Sequence, residues 1–166
     1  MRWSLSIIGL LLAAVALYSP GARARETLPD CGRQLPSYDE YPATLVSAGK
    51  RAPLVRNSAF ARRYKTLLSG ALESHPVSLA GHYVVTSFGC GTSCVMYGAV
   101  DILSGQAAEL TSLMPLGDAD KLYTRKDSRL VKAVDFADGY SSPRVARYFE
   151  WRDKRLRPIC RSRFDN

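Results

Sequence analysis

Only one stretch of this 166-residue chain spaces its hydrophobic positions at the interval of an α-helix. Phe60, Tyr64, Leu67, Leu68, Ala71 and Leu72 recur three and four residues apart on one face, with Arg62, Arg63 and Lys65 largely off it. Asn57 or Ser58 can cap the free amides at its start. Ser74-His75-Pro76 ends it, because proline lacks an N–H and keeps the residue before it out of helical space. Beyond Val77 the pattern changes to β-branched and aromatic runs between turns. These runs predict strands over His82–Phe88, Val95–Ile102, Ala107–Leu113, Leu122–Arg125, Arg129–Phe136, Arg144–Trp151 and Leu156–Arg161. Gly89 to Cys94 reads as a two-glycine turn, and Lys126-Asp127-Ser128 and Arg152-Asp153-Lys154-Arg155 as hairpin connections.

The implied fold is α+β: one N-terminal helix packed on a mainly antiparallel β meander and stapled by disulfides. The chain divides into a leader over 1–24, an irregular entry segment over 25–56 containing Pro29, Pro36, Pro42 and Pro53, and a helix-plus-sheet domain over 57–166. No repeat of fixed period stands out. The hairpins resemble propeller blades loosely, but the strand region is long enough for two at most.

The leader sets the compartment. Arg2 is followed by an apolar run from Leu5 to Leu17, broken by Ser6 and Gly9, then by Tyr18-Ser19-Pro20-Gly21 and the small-x-small triplet Ala22-Arg23-Ala24. That order predicts a secretory signal peptide cleaved after Ala24. The run is too short for a permanent anchor, so no membrane span is expected after cleavage, and the chain is expected to be periplasmic or secreted.

Charge changes the picture next. The formal charge of +8 becomes +6 once Arg2 and Arg23 are removed. Eight basic residues (Arg144, Arg147, Arg152, Lys154, Arg155, Arg157, Arg161 and Arg163) crowd the last strands against only Glu150 and Asp153. Such a face suits an anionic envelope component (lipid phosphates or acidic polysaccharide) or an acidic protein partner, although solvated sheets carry similar charge. An exported chain does not meet intracellular nucleic acid. Strand alternation turns Phe149 and Trp151 toward the core and Tyr148 the other way, so Arg144, Tyr148, Arg152 and Arg155 are the candidate binding residues.

All four cysteines lie beyond the leader. An even number in an exported chain reads as disulfides, and of three possible pairings Cys90–Cys94 and Cys31–Cys160 is favoured. Cys31 follows Leu28-Pro29-Asp30, whose acidic residue does not suit lipidation. Cys90 with His82 and Asp101 has the chemical types of thiol catalysis. A bridge to Cys94 would remove that nucleophile. Cys90-x-x-x-Cys94 as a redox pair lacks the helix start that lowers a thiol pKa, and zinc on Cys90, Cys94 and His82 lacks an evident fourth ligand. No catalytic residue, metal or cofactor is therefore assigned. Asp101 is expected to accept hydrogen bonds from the turn that follows it, and His82 to bond a backbone carbonyl. Gly81 and Gly91 are expected to meet backbone requirements, a close approach at one and a positive φ at the other.

Leu79-Ala80-Gly81-His82-Tyr83, Gly89-Cys90-Gly91-Thr92-Ser93-Cys94 and Asp101-Ile102-Leu103-Ser104-Gly105 together resemble a family of small uncharacterised exported bacterial proteins. Its core reads F-A-G-H-Y, G-C-G-T-x-C and D-x-x-T-G. Leu79 stands for the usual aromatic and Ser104 for the threonine. The resemblance covers about residues 77–106 and implies no catalytic activity. The functional expectation is a non-enzymatic envelope protein that binds or scaffolds. The alternatives are a periplasmic enzyme with dispersed carboxylates such as Asp101, Asp118, Asp120 and Asp135, or an inhibitor or immunity-type protein.

Overall fold

The computed structural model describes residues 28–47, 49–91, 94–111, 121–136 and 143–163. The leader, the loop carboxylates Asp118 and Asp120, and Thr92-Ser93 fall outside the described residues. Seven strands build two antiparallel sheets rather than one. The first has the order β1 (Tyr83–Gly91), β2 (Cys94–Asp101), β3 (Ala107–Glu109). The second runs β4 (Lys121–Thr124), β5 (Leu130–Phe136), β6 (Arg144–Arg152), β7 (Arg155–Arg163). Each is a simple meander, as short turns between successive strands require. Asp153 and Lys154 both have positive φ, 53° and 57°, the backbone of a two-residue type I′ hairpin between β6 and β7.

The expected single helix is two. Ser58 caps α1 (Ala59–Arg63), its hydroxyl accepting the Ala61 N–H at 3.0 Å. Tyr64 then leaves helical geometry at φ −106°, ψ 25° and starts α2 (Lys65–Ser74). Leu68, Ala71 and Leu72 are buried, whereas Leu67 is 51% exposed. Leu67 lies about 100° round the helix from Leu68 and overhangs the strip of sheet that the other three cover.

Four layers result. Leu68, Ala71 and Leu72 pack with Val84, Val100 and Ile102 on the outer face of the first sheet. Its inner face (Tyr83, Ala99, with Leu110) meets Val131, Ala133, Phe149, Trp151 and Leu156 of the second sheet, and Tyr83 sets its ring edge-on to Trp151 at 5.4 Å. The outer face of the second sheet (Leu130, Val134, Ala146, Tyr148, Cys160) is roofed by Cys31, Tyr38 and Tyr41 from the N-terminal segment. Both faces of both sheets are thus covered.

The N-terminal segment holds these layers in register. It begins beside β7, where Cys31 N–H donates to Arg161 O and Cys31 is disulfide-bonded to Cys160, 129 residues away in sequence. It crosses Ser128, whose buried hydroxyl lies 2.8 Å from Tyr38 O and 3.0 Å from Tyr41 O and accepts the Leu130 N–H. Then Ala43 N–H donates to Asp127 O, Val46 N–H to Gly81 O, Ala52 N–H to Ile102 O and Val55 N–H to Gly105 O. One strand of backbone therefore ties the turns of both sheets together.

That crossing needs bare Cα atoms. A Cβ on Gly81 (φ +82°) would sit 1.9 Å from Thr44 O, and one on Gly105 (φ +69°) 1.9 Å from Pro53 O. We expect Gly81→Ala to lower the unfolding free energy by about 2–5 kcal/mol in urea titration, combining left-handed strain with steric overlap. Gly70→Ala, in the exposed middle of α2 with open space around it, should instead stabilise by about 0.5–1 kcal/mol. Replacing Cys31 and Cys160 together by serine should cost about 4 kcal/mol in the same titration, because the bridge closes a long loop of the unfolded chain.

Candidate functional site

Two of the three motif segments, those around Gly81 and Asp101, meet at the crossing, whereas Gly89–Gly91 and Cys94 lie at the far end of β1 and β2. Ala80 and Gly81 both have positive φ, 48° and 82°. Their N–H groups donate to Ser128 O and Lys126 O, while Gly81 O accepts from Val46. Three chain segments meet there. The Asp101 carboxylate, in a residue 6% exposed, accepts the Leu103 N–H at 2.9 Å and the Ser104 hydroxyl at 2.7 Å. Both oxygens are thus spent on shaping the β2–β3 turn that receives Val55. His82 is half-buried, its ring 4.4 Å from that of Tyr83, and its carbonyl accepts the Ile102 N–H. Gly91 has φ +138° with open space around it, at a register shift where it pairs with Cys94. β1 runs through Gly89 to Gly91, beyond the turn that the two glycines suggested, because the irregular pairing absorbs them.

A thiol triad has no geometry here. His82 immediately precedes β1 and Cys90 lies near its other end, about 25 Å away along the strand at its ordinary rise. Cys94 is disulfide-bonded; the side chain of Cys90, its expected partner, lies outside the described residues. Among the described residues no three His, Cys, Asp or Glu side chains gather as a metal site would require. The carboxylates proposed for an enzyme do not meet either. Asp101 closes its turn, while Asp135, on the other sheet, bonds the buried Arg147 at 3.3 Å. A shallow depression lined by Arg56, Lys65, Thr66, Ser69, Gly70 and Glu73 is open to solvent and carries no convergent acid and base.

The four candidate binding residues do not form one surface, and Tyr148 is a correction. It does point away from Phe149 and Trp151, but it is 3% exposed, packed beneath Cys31 and Tyr38. Strand alternation separates two faces and cannot say that a distant segment covers the second. Arg144 is half-buried at the opposite end of β6 from Arg152, its guanidinium 5.6 Å from the Phe136 ring. Arg152 and Arg155 do face each other across the hairpin, both exposed. Lys154 and Arg157, part of the basic run of the last strands but not among the four candidates, are exposed beside them. The two-residue turn at Asp153-Lys154 places Arg152, Lys154, Arg155 and Arg157 on one exposed corner, while Leu156 between them is buried. Arg157 bonds Asp153 at 2.9 Å, with Arg152 4.0 Å from the same carboxylate.

Compared with family models, with curated proteins and with solved structures, the chain matches none. Among the described residues no helix is long and apolar enough to cross a membrane.

Buried Tyr83 and partly buried Tyr38 and Tyr41 give the layers a pH limit. Burial raises the Tyr83 pKa above its ordinary 10.0, with the Asp101 charge adding to it. Tyr38 and Tyr41 are raised chiefly by burial as well. The fold holds each phenol neutral, so this contribution is complete below pH 10 and disappears as pH rises through the raised values. We expect urea stability to fall steeply above about pH 10, and Tyr83→Phe to flatten part of that fall.

Proposed function

We propose that this chain is an exported, non-enzymatic envelope protein of the motif-bearing family, and that its projecting β6–β7 corner binds an anionic component of the envelope. The observation that carries this reading is the exposure of Arg152, Lys154, Arg155 and Arg157 around a single acid, Asp153. Lys154 is further braced by the Gln106 side chain, and the tight turn fixes the spacing of the cations. Charges of one sign on a rigid corner raise the local concentration of anions, and the attraction weakens as salt screens it. The motif supports the same reading by a different route. Its Gly81 and Asp101–Gly105 segments are occupied in holding the N-terminal segment, which favours recognition at the surface. The leader and the Cys31–Cys160 bridge both fit an oxidising compartment.

The test is retention of the chain beginning at residue 25 on a sulfated dextran matrix across a salt gradient. Elution should move earlier in Arg152→Ser with Arg155→Ser, with affinity falling up to about fivefold for each exposed charge removed. Retention that ignores salt, or that the double variant leaves unchanged, would refute the reading.

A further inference from the structure

Seven large hydrophobic side chains are exposed among the described residues, and four of them, Leu45, Val46, Val55 and Leu103, lie at one end of the molecule. Backbone hydrogen bonds place them side by side. Val46 is joined to Gly81, His82 to Ile102, Ile102 to Ala52, and Val55 to Gly105. Each such link spans about 5 Å, so the four residues lie on neighbouring backbone segments at this end. Leu103 stands in the β2–β3 turn, where Asp101 fixes the backbone, and is 49% exposed. Leu45 and Val46 stand on the crossing segment at 49% and 38%.

The surroundings of this apolar end are cationic. Lys126, exposed, accepts the Gly81 N–H on its carbonyl, which sets it next to Val46. Lys50 is exposed on the crossing segment. Lys154 reaches Gln106, the residue that bridges to Val55, so the basic corner of β6–β7 borders the same area. The acids nearby are already engaged: Asp127 with Arg125, Glu150 with Arg129, Asp153 with Arg157, and Asp101 with its turn. Lys50, Lys126 and Arg155 make no ion pair with a described residue.

A soluble polyanion would use the cations and leave the leucines and valines in water. A bilayer surface uses both, because its headgroups carry the charge and its acyl boundary takes the apolar side chains. We infer that this end of the molecule docks on a bilayer containing anionic lipid, with Val46 and Leu103 entering the headgroup region and Lys50, Lys126 and Lys154 meeting lipid phosphates. The inference rests on the anion-binding reading above and narrows the anionic component to lipid.

The test is cosedimentation of the chain beginning at residue 25 with vesicles of phosphatidylglycerol and phosphatidylethanolamine, beside vesicles of phosphatidylcholine alone. Sulfated dextran retention is measured on the same samples. Val46→Asn with Leu103→Asn should weaken binding to the anionic vesicles by about fivefold for each half-exposed side chain removed, and leave dextran retention unchanged. Leu67→Asn, on the exposed side of α2, should change neither. Dextran binding without vesicle binding would overturn the lipid assignment and leave the anion-binding reading standing; loss of both would overturn both. Equal binding to phosphatidylcholine, or vesicle binding that the double variant leaves intact, would also overturn the lipid assignment. So would an equal loss in Leu67→Asn.

Discussion

The carbonyl of Thr44 lies against the bare Cα of Gly81, and the rest of the structure depends on that contact. The two sheets share a core, but their order of assembly leaves each with an outer face that no neighbouring strand can cover. The first is closed by α2, which directly precedes β1 in sequence. The second is closed by a segment from the other end of the chain, which must cross both sheets to reach α1. At the crossing its N–H and C=O groups need partners. Val46, Ala52 and Val55 find them on the turns around Gly81, Ile102 and Gly105. Turn backbone can offer its carbonyls this closely only where no side chain intervenes, and Gly81 and Gly105 meet that condition.

This accounts for a motif that has the residue types of chemistry and none of its geometry. Glycine, histidine, aspartate and serine gather in sequence because turns need left-handed backbone and short side chains that cap amides. Asp101 caps Leu103 and Ser104, and Ser128 serves two carbonyls and one amide on the other sheet. A hydroxyl has one proton, so Ser128 donates to Tyr38 O or Tyr41 O at a given moment while its lone pairs accept Leu130.

Local structure was legible in the sequence; which surfaces are covered was not. Six of the seven strand runs match the described elements closely, because a period of two is a local property; the run expected over Ala107–Leu113 shortens to Ala107–Glu109, and the helical stretch is broken at Tyr64. The division into two sheets was hidden, since the hairpin pattern is the same whether β3 pairs onward with β4 or turns away from it. The break at Tyr64 was hidden for a related reason: its apolar neighbours keep helical spacing through the bend. Tyr148 was assigned the correct side of β6 and the wrong environment. In β5, Leu130 and Val134 face one way and Val131 and Ala133 the other, and all are buried. A strand buried on both faces loses the alternation that would mark one of them as solvent.

Charge follows the same division. Arg147 points between the sheets and is held by Asp135, a partly desolvated pair whose removal from one side would strand the other charge. Arg129 and Arg125 stay partly exposed but are engaged as well, with Glu150 and Pro42 and with Asp39 and Asp127. A formal charge of +8 therefore overstates the cations available to a partner. What stays exposed is set by the turns: a type I′ hairpin throws Arg152, Lys154 and Arg155 outward, and Lys50 is exposed on the crossing segment. The exposed cations are thus placed by the same turns whose backbone closes the fold, at the end of the sheets where the N-terminal segment crosses.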